Sequence, residues 1–136
     1  MSTLTQYLII KLIDHQFRSV TYTKPDILFV GLISTVSNVK TGAVTELTGG
    51  GYARVACAPS DTNWSTVDAQ GKTSNLIPLT FPMATDNWTP ARYFGLWDAA
   101  TDGNLLICSS LQTPRTVTTT TTPVFGVGTL VVHLDG

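Results

Sequence analysis

Apolar positions along this chain fall into one helical run followed by short alternating ones. Leu8, Ile9, Leu12, Ile13 and Phe17 recur at spacings of three and four, with Lys11, Asp14, His15 and Arg18 on the other side. That spacing predicts an amphipathic helix of about four turns. Thr3, with Gln6 three residues on, reads as its capping box. The apolar stripe must be buried, either on the body of the chain's own sheet or on a neighbouring subunit.

After Lys24-Pro25 the period changes. "DILFVGLIS" is apolar on both alternating faces, Ile27/Phe29/Ile33 and Leu28/Val30/Leu32, so a strand here must be covered on both sides. One cover is an opposing sheet, and the N-terminal helix is the natural other. Residues 35–51 read as a loop or weak hairpin. Strands are predicted at Tyr52 to Cys57, Leu76 to Phe81, Tyr93 to Trp97, Leu105 to Leu111, Val117 to Thr122 and Val124 to Leu134, with a break at Thr113-Pro114. "DAATDGN" supplies an Asp-Gly turn between two of them. About seven short strands behind one helix predict a mainly β protein, an antiparallel, jelly-roll-like β-sandwich. The chain reads as a single domain over 1–136, with the helix in 1–20 and the sandwich in 25–136.

Composition sharpens this picture. Charged residues make up only 12% of the 136 positions, with a formal net charge of -1. Threonine therefore supplies much of the polar surface, and as a β-branched residue it favours strands. Such a balance gives no electrostatic case for nucleic-acid binding, and it lets identical subunits approach without repulsion. "YLIIKLI" is interrupted by Lys11 and lacks a small-residue cleavage site, so it reads as neither a signal peptide nor a membrane span. Synthesis in a host cytoplasm is expected.

Candidate chemistry is sparse. "ELTGGGYARVAC", residues 46–57, carries three consecutive glycines. A phosphate loop needs Gly-Lys-Ser/Thr and a following helix. Here alternating residues follow, so the triplet reads as a corner leading into a strand. The two histidines, His15 and His133, have no partner at ligand spacing, and no metal or cofactor is expected. Cys57 and Cys108 sit in apolar runs outside any CxxC pair and read as buried, reduced core residues. Glu46 is the only glutamate, and the aspartates mostly lie in turn contexts, so no catalytic set is visible. Asn63-Trp64-Ser65 and Asn87-Trp88-Thr89 match a glycosylation triplet but read as turns. Their tryptophans suit interface anchoring, the capping of a sandwich end, or stacking on a sugar, whereas Trp97 reads as core. The interface residues expected are Leu8, Leu12, Phe17, Tyr52, Trp64 and Trp88.

Four motifs occur in order: "GGGYAR" from Gly49, "TSNLIPLTFPMATDNW" from Thr73, "YFGLWDAATDGNLL" from Tyr93 and "LQTPRTV" from Leu111. With the N-terminal helix they make the chain resemble a family of small tailed-bacteriophage proteins labelled tail fibre proteins, some of them capsid-decorating. The resemblance implies a structural role in a virion and carries over no catalytic residue. It makes a capsid decoration or cement subunit the first expectation. A fibre-associated or receptor-binding tail module is the second, and a small hydrolase of cell-wall glycan the third. The implied partners are further copies of the chain (a trimer before a dimer) and the major capsid protein or tail and neck proteins, with no nucleic acid and no membrane.

Overall fold

The computed structural model describes residues 2–134. The elements are β1 (Ser2–Leu4), α1 (Gln6–Phe17), β2 (Leu28–Asn38), β3 (Ala43–Glu46), β4 (Val55–Cys57), β5 (Lys72–Ser74), β6 (Leu79–Thr80), β7 (Ala91–Trp97), β8 (Leu105–Arg115), β9 (Val124–Phe125) and β10 (Val131–His133). The protein is mainly β, its strands pair antiparallel, and the one helix among the described residues stands near the N-terminus. A six-stranded sheet runs β1-β8-β7-β2-β3, with β4 also pairing to β2. The second layer consists of two short ribbons, β10-β5 and β6-β9, rather than a full second sheet.

The long strand β2 organises the sheet. One edge pairs with β7. The other edge is shared, with β4 along Leu28 to Val30 and β3 along Ile33 to Asn38. Both faces are covered, as the doubly apolar sequence requires. One face carries Val30 and Leu32 into a cluster with Phe94, Leu96 and Ile107, closed by Leu79, Phe81, Trp88, Leu130 and Val132. The other carries Ile33 into a smaller cluster with Trp97, Leu105 and Cys108, flanked by Phe29, Val36, Val44 and Tyr93. In that second cluster the Trp97 ring crowds Gly31 and Gly95. A Cβ at either position would stand 2.6 or 2.7 Å from Trp97 Cζ3, so only glycine admits the indole there.

The helix departs from expectation in two ways. It starts at Gln6 with Thr5 as N-cap, because Ser2–Leu4 pair along the edge of β8 instead. The Thr5 hydroxyl accepts from the Leu8 N–H at 3.4 Å and donates to the Leu105 carbonyl at 2.7 Å, joining helix to sheet. The helix also does not cover the second face of β2. It buries only Leu8, which joins the larger cluster with Val30 and Leu32.

Threonines 118–122 form a turn, not the predicted strand. Thr120 has a φ of 70°, and the Thr121 N–H bonds back to the Thr118 carbonyl. The turn is strapped to the 84–88 loop by Ala84 N–H to Thr121 O, Thr120 N–H to Ala84 O, and Trp88 N–H to Val117 O. Burial of Ala84, Trp88 and Val117 therefore outweighs the β preference of threonine. The predicted last strand is split into β9 and β10 by the turn at Gly126–Leu130. β8 runs through Pro114 to Arg115, on an outer edge that β1 covers only from Ile107 to Ser109. Proline is tolerated at such an edge.

The glycine triplet is a corner. All three residues have positive φ (75°, 59° and 81°), and strand pairing resumes at Val55, three residues later than predicted. The Gly50 carbonyl accepts from Trp88 Nε1 at 2.7 Å and from the Thr85 N–H at 2.9 Å. A Cβ at Gly50 would meet Trp88 Cδ1 at 2.8 Å and the Asp86 carbonyl at 3.0 Å. Gly50→Val should therefore lower stability by about 2–4 kcal/mol, combining left-handed backbone strain with displacement of the indole. Gly49, with open space around it, should tolerate alanine better. Thermal unfolding of the two variants checks the difference, and equal midpoints would refute it.

Candidate assembly surface

The 46–57 segment folds back on itself at the glycine corner, bringing Glu46 and Arg54 together. Arg54 Nε donates to Glu46 Oε2 and Nη2 to Oε1, both at 2.8 Å. The pair is mostly buried, with side-chain exposures of 7% for Arg54 and 21% for Glu46. Arg54 Nη1 also donates to the carbonyls of Ala99 at 2.7 Å and Asp102 at 2.9 Å. Its guanidinium carbon lies 4.1 Å from the centroid of the Trp97 ring. The Tyr52 hydroxyl donates to Glu46 Oε2 at 2.7 Å and accepts from the Leu32 N–H at 2.9 Å. Leu32 lies where β4 has stopped pairing with β2 and β3 has barely begun, so a side chain fills the gap in the ladder. Burial and then the Glu46 hydrogen bond push the Tyr52 phenol well above its ordinary value. This network is an internal clamp: Arg54 Nε, Nη1 and Nη2, both Glu46 carboxylate oxygens and the Tyr52 hydroxyl all have partners within the chain.

The expected interface residues divide accordingly. Leu8 and Trp88 are buried in the chain's own core and are not free to anchor a partner. Tyr52 packs against Phe81 and edge-on to Trp88, and its hydroxyl is engaged in the clamp. Trp64 is half-buried beside a groove of about 350 Å³ floored by Leu28, Leu96, Ile107 and Val132. Its Nε1 is enclosed without a hydrogen-bond partner, so it does not point a donor at a surface ligand. Leu12 and Phe17 are exposed.

Those two belong to a larger apolar ridge on α1. Phe17 is 79% exposed, Ile10 49%, Ile13 50% and Leu12 40%. Leu8 is the one buried residue of the helix, and Tyr7, Ile9, Lys11 and Asp14 are partly buried. Charges on the helix are matched locally. Asp14 pairs with Arg18 at 3.3 Å, and Lys11 Nζ stands 5.5 Å from the Tyr7 ring centroid. Val20 and Ile27, on the segment leading to β2, are exposed as well. Ile10, three residues before Ile13 and seven before Phe17, keeps the same three-four spacing, which was a readable signal in the sequence.

Both cysteines are buried and unpaired, as their sequence context implied. Burial raises both thiols, that of Cys108 to about 11. Because only the thiolate reacts, native protein at pH 8 should be alkylated at neither position, while urea-unfolded protein should take up two labels. Mass spectrometry reads the count, and rapid native labelling would contradict the burial. No group of three His, Cys, Asp or Glu side chains is placed to hold a metal among the described residues, and no helix among them is long and apolar enough to cross a membrane.

A family model described as "Podophage GP4 fiber I protein gp80" matches residues 3–133 of the chain. No curated protein matches it.

Proposed function

The chain belongs to the Podophage GP4 fiber I protein gp80 family, which makes it a structural protein of a bacteriophage virion, and we propose that its place there is as a tail-fibre subunit. The family match over nearly the whole chain carries this reading. It favours the fibre over capsid decoration, the order opposite to the one the sequence motifs alone implied. The physical design is compatible with a part that works by contact. The strongest polar interactions form an internal clamp, and an uncharged apolar ridge is left on the outside. The protein is read as non-catalytic.

The location is tested on purified virions by quantifying copies per particle and by cryo-electron microscopy of the intact particle. A few to a few dozen copies, with density on the tail, is the expected result. Hundreds of copies tiled over the shell would replace the fibre reading with decoration. Hydrolysis of host cell-wall glycan by the purified chain would overturn the non-catalytic reading.

A further inference from the structure

We propose that residues 19–26, the segment between α1 and β2, are a flap on the groove beside Trp64, latched by the neutral imidazole of His15 and freed when that imidazole takes a proton. The way the segment is held points to this. Its ends are fixed, by the Arg18 N–H on the Asp14 carbonyl at one side and by β2 at the other. Between them, among the described residues, 19–26 make a single hydrogen bond, from the Tyr22 N–H to His15 Nδ1 at 3.1 Å. The two ion pairs of the described residues, Asp14 with Arg18 and Glu46 with Arg54, lie outside the segment. Its other anchor is the Tyr22 ring, half-buried against the larger core cluster, while the residues on either side of Tyr22 are exposed. Lys24, two residues on, forms part of the wall of the groove that Trp64 also lines. A latch at Tyr22 therefore holds one side of that groove in place.

The latch depends on charge because of what the imidazole offers. A neutral ring has one nitrogen free to accept, whereas both nitrogens donate in the cation. A proton on Nδ1 would face the Tyr22 N–H, donor against donor, and the segment would lose its one polar tie. The charged and titratable groups nearby are few. Lys11, Asp14 and Arg18 lie within about one turn of His15 on the helix, and Arg18 is held by Asp14. Lys24 and Asp26 are on the segment itself. Burial, then the neighbouring Tyr7 and Asp98, push the Tyr22 phenol above its ordinary value, so it stays neutral in this range. Among these groups only the imidazole is of a type that changes charge between about pH 5 and 8. The latch belongs to the chain itself and holds whether the protein sits on a tail or on a shell.

The test follows two readouts on the full chain from pH 8 to pH 5.5. The first is amide exchange of Tyr22 by NMR, corrected for the intrinsic effect of pH. The second is acrylamide quenching of Trp64 fluorescence, taken as the difference between wild type and Trp64→Phe. Protection of the Tyr22 N–H should fall by up to about tenfold in acid, the size of one lost hydrogen bond, and Trp64 should become easier to quench. The Leu32 N–H, bonded to the Tyr52 hydroxyl, should keep its protection. His15→Gln carries no titrating group at this position, so both readouts should be flat with pH; His15 is exposed, and the variant should fold. A wild-type Tyr22 amide indifferent to pH overturns the latch, as does a response that persists in His15→Gln. Loss of Leu32 protection in step with Tyr22 would mean general acid loosening and overturns it too. A Tyr22 response with Trp64 quenching unchanged overturns the flap.

Discussion

Arg54→Met is expected to destabilise the protein by about 3–5 kcal/mol, the range for removing one partner of a buried ion pair. Arg54 is almost wholly enclosed and holds Glu46 through two bonds of 2.8 Å. Its loss leaves the Glu46 carboxylate with Tyr52 as its one remaining hydrogen-bond partner. It also removes the donor from the part-buried Ala99 carbonyl and uncovers the Trp97 ring. The cost is therefore an unpaired charge together with lost packing, not the modest value of a surface pair. Tyr52→Phe should cost less, about 1–3 kcal/mol, because it orphans the Leu32 N–H without removing a charge. The double variant Glu46→Gln/Arg54→Met should fall well short of the sum of its single variants, since both act on one network. Urea unfolding of the wild type, the three single variants and the double variant measures this, and an Arg54→Met loss below about 1 kcal/mol would mean the pair behaves as if solvated. Tyr52 adds a pH signature. Its folded-state pKa is raised, so its contribution is fully present below the unfolded value near 10 and declines as pH rises beyond it.

How much of this was legible in the sequence depends on the range of the interaction. The helix was legible because its signal is local, a three-four period over a dozen residues. Its start was not, because Ser2–Leu4 are claimed by a strand more than a hundred residues away along the chain. The covered faces of β2 could be read from its double apolar pattern. What covers the second face could not, since Trp97, Gly31 and Gly95 meet only when β2 and β7 pair. Glu46 stood out as the only glutamate, and Arg54 closed a quoted motif. Their pairing needed the chain reversal at the glycines, where three successive positive φ values redirect it. Trp64 and Trp88 are the sharpest case. Both sit in Asn-Trp-Ser/Thr triplets in polar surroundings. Trp88 finds the Gly50 carbonyl and becomes core, while Trp64 stays half-buried with its Nε1 unpartnered. No local rule separates them.

Asn75 is the other site where a single change should be severe, and sequence gave no warning of it. The residue is fully buried beyond the end of β5. Its Nδ2 donates to the carbonyls of Ile77 at 2.8 Å and Gly126 at 3.0 Å, with Phe125 at 3.4 Å, and its Oδ1 accepts from the Leu130 N–H at 3.0 Å. Its backbone N–H reaches the Leu130 carbonyl, and its carbonyl receives the Gly128 N–H. One side chain therefore ties the segment between β5 and β6 to the turn between β9 and β10. Asn75→Ala should cost about 4 kcal/mol, because at least two buried backbone groups lose partners at roughly 1–3 kcal/mol each. Asn75→Asp distinguishes hydrogen bonding from packing, since it keeps the shape but replaces the donor with an acceptor facing carbonyl oxygens. Burial and those carbonyls would raise the new carboxyl's pKa in the folded state. The variant should then be closest to wild type in acid, where the protonated carboxyl donates one bond. Its deficit should grow as pH rises above the unfolded value near 3.9. Chemical denaturation at pH 4 and pH 7 reads this directly. A deficit that is the same at both pH values would show that Asn75 matters through its volume and not through the bonds it makes.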